Sequence, residues 1–185
     1  MMYKELYTDR LILRLLNKKW AEQVLDFLKE NRDDFSRYEA EKPSAYFTRF
    51  YQEYILQNEY EASMKKGYLR YYIFEKNEPD SIIGTVSVGQ IKGSPYCSGI
   101  LGYKMAVRKK NLGYATEAVN TICQVAYEYL GLHRLEAFVQ EENYASVRVL
   151  EKCGFLREGL CRKNLCVNGI WTCLLYTSPS PRDRG

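Results

Sequence analysis

The sequence is poor in histidine and lacks closely paired cysteines and long apolar runs. Its 185 residues contain a single histidine, His133, and its six cysteines include no Cys-x-x-Cys pair. Because zinc is held by closely spaced Cys and His ligands, the sequence predicts no metal site, and we expect buried, reduced thiols. No apolar run approaches the roughly 18 residues of a membrane span, and the first residues lack the apolar stretch of a signal peptide. These features favour a cytoplasmic protein that does not bind membranes.

Charge of either sign is also in little excess. The chain has 27 basic and 23 acidic residues, which gives a net charge of +4. This excess is too small and too scattered to indicate direct binding of nucleic acid. Hydrophobic residues make up 46% of the chain and charged residues 27%, a balance typical of a soluble globular protein whose length suits one domain.

Hydrophobic periodicity predicts strands and helices in an α/β arrangement. Asn17 is expected to cap the first helix, Gly131 and Gly154 to end later helices, and Asn168-Gly169 to form a hairpin turn. The predicted elements are strand 9–16, helices 18–30 and 45–66, strands 68–75, 81–91 and 98–107, helix 111–130, strand 134–140, helix 143–153, and strands 155–167 and 170–177. The order β-α-α-β-β-β-α-β-α-β-β predicts a mixed, mostly antiparallel sheet.

Two segments are expected to lie outside these elements. Residues 31–42 are polar and are predicted to form a loop. Residues 178–185 contain two prolines and no apolar side chain, so they cannot join a core and are predicted to be disordered. The predicted single domain therefore comprises residues 8–177, and whether the last eight residues are native is left open.

A basic, glycine-containing turn precedes the long helix predicted over 111–130. The first N–H groups of a helix have no intrahelical partner, and the helix dipole adds partial positive charge there, so such a terminus can bind a phosphate. Gly113 permits close approach of the backbone, and Ala115 keeps the next turn small. Arg108, Lys109 and Lys110 supply positive charge. Taken alone, these residues are compatible with a phosphate site, but basic residues on a turn are more often simply solvated.

This turn and a second block downstream resemble the GNAT acetyltransferases. Residues 110–115 (KNLGYA) are similar to the family's Gln/Arg-x-x-Gly-x-Gly/Ala loop, which binds acetyl-CoA. Residues 143–146 (NYAS) and 149–155 (VLEKCGF) resemble its second block at the expected distance. The similarity is to the RimJ/RimL-like branch, whose members acetylate protein N-termini and, in relatives, other small amines. It spans about residues 8–177.

The resemblance implies a fold, a donor and a set of site residues. The family's sheet is splayed into a V, here between strands 98–107 and 134–140, and four helices flank it. Acetyl-CoA is the implied acetyl donor, with its pantetheine arm along the backbone of one strand and its pyrophosphate on the amides of the turn. The implied catalytic residues are Ser146 and Asn143, and the implied cofactor-binding residues are Met105, Ala106, Val107, Lys110, Asn111, Leu112, Gly113, Tyr114, Ala115, Thr116, Asn143 and Ser146.

Three positions depart from the family pattern. Lys110 stands where Gln or Arg is usual, which keeps the charge and loses the planar fork of arginine. Leu150 stands where many relatives have a tyrosine acid, so the resemblance implies that Ser146 protonates the leaving thiolate. Residues 171–173 (WTC) lack the acidic or histidine residue that often follows this tryptophan, so a general base from that position is not expected.

The chemistry of acetyl transfer favours an acceptor of low pKa. An α-amino group has a pKa of about 7.7–8.0, against about 10.4 for lysine, so a chain terminus is partly neutral at physiological pH. We therefore expect direct attack, in a ternary complex, by the N-terminal α-amine of a protein such as a ribosomal protein. An antibiotic, a polyamine or an amino acid remains an alternative acceptor, and a non-catalytic acyl-CoA-binding domain an alternative class. The sequence leaves monomer and homodimer equally open.

Overall fold

An eight-stranded sheet with helices on both faces forms the body of the protein. The computed structural model describes residues 3–178. The strands are β1 (Glu5–Tyr7), β2 (Leu11–Arg14), β3 (Leu69–Glu75), β4 (Glu78–Lys92), β5 (Ser98–Met105), β6 (Arg134–Gln140), β7 (Leu156–Val167) and β8 (Ile170–Ser178), and the α-helices are α1 (Ala21–Glu30), α2 (Arg32–Phe35), α3 (Arg49–Met64), α4 (Tyr114–Glu128) and α5 (Tyr144–Lys152). The strand order across the sheet is β1-β2-β3-β4-β5-β6-β8-β7. The predicted fold class, a mixed and mostly antiparallel α/β sheet, is confirmed.

The predicted signals at the ends of the elements have a direct counterpart in the structure. Asn17 accepts a hydrogen bond from the amide of Lys19 and so caps the first helical turn. Gly131 follows α4 with a φ of 69°, in the left-handed region that glycine adopts at low cost. Asn168 and Gly169, with φ of 50° and 79°, form the turn between β7 and β8 that the dipeptide predicted.

The two faces of the sheet bury separate apolar clusters. One cluster joins β2, β3, β4 and β5 to α4 and α5, and includes Leu101, Met105, Ile122 and Leu150. The other joins the opposite face of the sheet to α1 and α3, and includes Phe27, Leu56 and Tyr72. Successive residues of a strand point to opposite faces. Neighbours on β5 therefore face different helices, which matters for the site.

The splay between β5 and β6 is the feature that positions the site. These strands pair in parallel from Ser98 with Arg134 to Ile100 with Glu136. Beyond that point β6 pairs with β8, whereas β5 runs on to Met105 beside β4. The open wedge between the two strands is the V that the family resemblance implied.

Several boundaries differ from the sequence prediction. Segment 31–42, predicted as a loop, contains the one-turn helix α2, because Phe35 packs on Phe27 with ring centroids 5.6 Å apart. Strand β1 precedes the predicted start of the domain, and Ser178 is the last residue of β8 rather than the first of the tail. Residues 179–185 lie outside the described residues. Two cysteines, Cys123 and Cys153, are buried, whereas the other four are half-buried.

In the described part of the chain, residues 3–178, no helix combines the length and the apolar composition that crossing a membrane requires.

Buried tyrosines make the stability of this fold depend on alkaline pH. Burial raises the pKa of Tyr46 to about 12, and it also raises the pKa of Tyr71, Tyr72 and Tyr103. Because unfolded phenols ionise near pH 10, the stabilisation is complete below that pH and is lost as the pH rises above it. Above pH 10, one fully buried phenol such as that of Tyr72 should lower the free energy of unfolding by about 1.4 kcal/mol per pH unit. Urea unfolding followed from pH 9 to 11 should show this steep decline.

The same experiment has a spectroscopic control. Phenolate absorbance should rise steeply over the pH range in which stability is lost, because the buried tyrosines ionise together with unfolding. The lowered pKa of Lys104 acts in the opposite sense, since it favours folding as the pH approaches the ordinary value of 10.5. One lysine is outweighed by four tyrosines, so a stability that stays constant to pH 11 would contradict the prediction.

Candidate active site

The splay opens into a cleft of about 710 Å³, a size that accommodates a cofactor-sized ligand. The walls of the cleft are the ends of β5 and β6, the first turn of α4, one side of α5, and the end of α2 with the segment that follows it. Nine of the twelve residues predicted to bind the cofactor line it: Met105, Lys110, Asn111, Gly113, Tyr114, Ala115, Thr116, Asn143 and Ser146. The other three, Ala106, Val107 and Leu112, do not line it.

The backbone edge predicted to hold the pantetheine arm is shorter than expected. The amide of Ala106 donates to the carbonyl of Ile83 at 2.8 Å, and the amide of Val107 donates to Asn31 Oδ1 at 2.8 Å. In an antiparallel ladder the hydrogen-bonded pairs alternate with unbonded ones, so the N–H and C=O of Met105 point away from β4. They face the splay. Among residues 105–107, the backbone that can bind a ligand is therefore that of Met105.

The turn before α4 presents its amides to the cleft. Asn111 and Gly113 both lie in the left-handed region, with φ of 62° and 81°. No side chain among residues 3–178 caps the first turn of α4. Its amides, from Tyr114 to Thr116, have no intrahelical acceptor and form a site for an anion. Leu112 lies at the outside of this turn, with its side chain 49% exposed.

Residues near the start of the chain brace this turn, and no pattern in the sequence indicates this contact. Arg10 donates to the carbonyl of Leu112 at 2.9 Å and to Glu117 at 2.8 Å, and its guanidinium lies 4.6 Å from the ring centroid of Tyr114. Burial alone would raise the pKa of Glu117, but hydrogen bonds from Thr8 and Arg10 outweigh burial and lower it. The charged carboxylate thus anchors the loop in the shape that exposes its amides.

Positive charge outweighs negative charge along the cleft. Lys110 forms an ion pair with Asp34 at 2.5 Å, and Lys109 forms one with Glu75, so the charge predicted for the turn is partly neutralised. The lysines and arginines that line the cleft are Lys104, Lys109, Lys110, Arg148 and Lys152, and its acidic residues are Asp34 and Glu39. This excess favours a polyanionic ligand. Arg148 and Lys152 lie in the region of the second sequence block. They are four residues apart and so share one face of α5.

A pair of hydroxyl groups spans the cleft from β5 to α5. Asn143 caps α5, because its side-chain oxygen accepts from the amide of Ser146 at 3.2 Å. Tyr103 Oη lies 2.7 Å from Ser146 Oγ and also donates to the carbonyl of Ser146 at 2.8 Å. Tyrosine has one hydroxyl proton, so when Tyr103 donates to the carbonyl it accepts from Ser146 Oγ. Burial raises the pKa of Tyr103, and the bond with Ser146 partly offsets this effect.

The departures noted in the sequence have structural counterparts. Leu150, at the position of the usual tyrosine acid, is 2% exposed in the core and offers no proton. Trp171, in the last strand, is 61% exposed and does not line the cleft. In the described residues, the carboxylates that line the cleft are Asp34 and Glu39, from the segment predicted to be a loop.

Comparison with known proteins identifies the family to which this fold belongs. Residues 10–156 match the sequence model of the family described as acetyltransferase (GNAT) domain. The chain is 36% identical to the probable N-acetyltransferase YjcK of Bacillus subtilis over 151 residues. This alignment covers 82% of this chain and 83% of that protein. The match over most of both chains includes the turn before α4 and most or all of α5.

Solved structures agree with this assignment. The ribosomal-protein-S5-alanine acetyltransferase from Vibrio fischeri superposes with a TM-score of 0.92 and 27% identity over 98% of both chains. RimJ from Mycobacterium smegmatis, solved in complex with CoA-disulfide, superposes with a TM-score of 0.86 and 22% identity over 94% of this chain and 83% of that one. The chain therefore belongs to the GNAT acetyltransferase family, as predicted, and is an N-acetyltransferase that takes its acetyl group from acetyl-CoA.

Proposed function

We propose that the protein acetylates the N-terminal α-amine of a protein, such as a ribosomal protein, by direct attack of the amine on acetyl-CoA in a ternary complex. The observation that carries the proposal is the hydroxyl pair of Tyr103 and Ser146, which spans the cleft beside the free backbone of Met105. The Vibrio fischeri neighbour, which is named for transfer to the alanine of ribosomal protein S5, supports the acceptor class.

The donor is expected to lie along the full length of the cleft. The amides of Tyr114, Ala115 and Thr116 would bind its pyrophosphate, while Arg148 and Lys152 would face its remaining negative charge. Met105 would pair with the pantetheine arm as a strand pairs with its neighbour. Asn143 is occupied as a helix cap through its oxygen, so its amide nitrogen is the atom that can contact the arm.

Transfer then requires a polarised carbonyl and a protonated leaving group. The Met105 N–H would donate to the thioester oxygen, where negative charge develops during attack. Ser146 would give its proton to the departing thiolate, and Tyr103 would hold the serine hydroxyl in place. Among the described residues, those that line the cleft include no cysteine. A thiol-bound acetyl intermediate on the cleft wall therefore has no nucleophile, which supports direct attack.

Thiol release from acetyl-CoA is the test of this function. Peptides beginning with Ala, Ser or Thr should support turnover, because their α-amines are partly neutral at physiological pH. The same peptides with blocked N-termini should give no release above background, even when they contain lysine. Spermidine and an aminoglycoside serve as the small-amine controls.

The outcomes separate the candidate acceptors. Release with free N-termini and none with blocked ones would support the proposal. Turnover with spermidine or the aminoglycoside, and none with the peptides, would overturn the N-terminal acceptor while leaving the acetyltransferase chemistry intact. No release with any amine, together with CoA binding measured by calorimetry, would favour a binding role.

A further inference from the structure

A second, smaller cavity lies on the opposite face of the sheet from α4. Its volume is about 210 Å³, and it is enclosed by α1, α2, the segment that follows α2 and the end of β5. Phe35, Glu39 and Lys104 line both this cavity and the large cleft. The two spaces therefore meet at these three side chains, of which Lys104 directly precedes Met105 on β5.

An ion pair forms the boundary between the two spaces. Lys104 Nζ lies 2.8 Å from Glu39 Oε1 and 4.7 Å from the ring centroid of Phe35. Lys42 approaches the other oxygen of Glu39 at 3.9 Å, and the buried pair of Arg70 and Glu59 lies behind Lys104. Burial lowers the pKa of Lys104, although the Glu39 carboxylate opposes this shift. Glu39 is thus a carboxylate paired with a lysine at the boundary between the two cavities.

We infer that the small cavity receives the acceptor and that Glu39 binds the acceptor's ammonium group and takes its proton, with Lys104 as the residue that positions Glu39. This inference rests on the proposed function and adds the base that the last strand does not supply. An arriving ammonium can contact Glu39 while Lys104 keeps its own contact, because a carboxylate can accept from two cations at once.

The proton balance of the reaction is complete with the residues named. The acceptor ammonium gives one proton to Glu39, which later releases it to solvent. The nitrogen lone pair forms the C–N bond, the C–S bond breaks, and Ser146 protonates the thiolate. The second proton lost from nitrogen restores the Ser146 hydroxyl through solvent, and the third remains on the amide. The products are the N-acetylated acceptor, CoA thiol and one released proton.

The lining of the small cavity indicates which amines it admits. Its basic residues, Arg32, Lys42 and Lys104, are matched in number by acidic residues that include Glu39. A polycation therefore gains no net attraction from this lining. Phe35, Tyr46 and other apolar side chains line the remainder, in a volume that suits a small terminal residue. The acceptor class is a primary amine at the end of a short uncharged segment, as at a protein N-terminus, rather than a polyamine.

The test compares Glu39→Gln with Glu128→Gln in the full-length protein. Glu128 is exposed at the far end of α4, so it undergoes the same chemical change outside both cavities. With an Ala-initiated peptide, Glu39→Gln should lower kcat/KM for the peptide by about tenfold to a hundredfold and leave the KM for acetyl-CoA within about twofold. Glu39→Asp, which keeps the charge, should recover part of the loss. Thermal unfolding of each variant confirms that it is folded.

The possible results test the role of Glu39, the acceptor class and the proposed function separately. An unchanged kcat/KM for the peptide in Glu39→Gln, or a rise in the KM for acetyl-CoA as large as that loss, would overturn the role of Glu39. Higher kcat/KM for spermidine than for the peptide would overturn the acceptor class. Absence of turnover in the unsubstituted protein with every amine would overturn the proposed function, and the inference with it.

Discussion

Replacing Ser146 by alanine should lower kcat by about a hundredfold or more, within the range that general acid catalysis contributes, while the Kd for CoA stays within about twofold. The reason is that the serine hydroxyl is placed at the cleft by the cap of α5 and by Tyr103, whereas the amides of the turn before α4 carry the affinity. Steady-state kinetics with a peptide acceptor and calorimetry with CoA measure the two quantities separately.

Two further variants show which hydroxyl gives the proton. Ser146→Thr keeps a hydroxyl on the first turn of α5 and should retain more activity than Ser146→Ala. Tyr103→Phe removes the partner that lies 2.7 Å from the serine oxygen, and it should cost less than Ser146→Ala if the serine is the donor. A larger loss in Tyr103→Phe than in Ser146→Ala would assign the proton to the tyrosine. Full activity in Ser146→Ala would exclude the serine as the acid.

Elements with strong local patterns could be predicted closely from the sequence. Strand β6 has the predicted bounds, 134–140, because its alternating residues are flanked by clear end signals. The turn at Asn168-Gly169 follows from the left-handed conformation that both residues tolerate. Helix α2 has no such signal, since its sequence is polar apart from Phe35. Its formation depends on the contact of that ring with Phe27, which comes from the preceding helix.

The turn before α4 and the start of α5 could be predicted because each is a contiguous run of residues in a recognisable family pattern. The hydrogen-bonding pattern of β5 could not be predicted, since a shift of one residue decides whether a given backbone amide faces β4 or the splay. That pattern leaves the N–H and C=O of Met105 without a partner on β4. The amide of Val107 is instead bonded to Asn31, from a segment remote in sequence. Tyr103 and Lys104 are neighbours on one strand, yet they serve opposite faces of the sheet.

Contacts between distant segments account for the rest of what the sequence did not indicate. Arg10 braces a turn about a hundred residues further along the chain, and Glu39 meets Lys104 across 65 residues. Neither pairing has a periodic or spacing signal, because ion pairs depend on where the backbone places two side chains. The family pattern thus defines the donor side of the site, and the acceptor side has to be taken from the folded chain.

The second large effect is expected at the turn itself. Gly113→Val should weaken CoA binding by about tenfold to a hundredfold, which corresponds to the loss of one or two charge-assisted hydrogen bonds. Gly113 has a φ of 81°, and a Cβ there would lie 3.3 Å from Arg10, which braces the turn. A branched side chain would therefore disturb the amides of α4 and obstruct the approach of a phosphate.

Gly131→Val is the matched control for this change. Gly131 has a φ of 69° at the other end of α4, and a Cβ there would meet no atom within 4 Å. Both substitutions force a branched residue into the left-handed region, so each should lower the free energy of unfolding by about 1–2 kcal/mol. Gly113→Val should additionally raise the Kd for CoA, measured by calorimetry. An equal Kd in the two variants would mean that the pyrophosphate binds elsewhere, because the strain is shared and the position in the cleft is not.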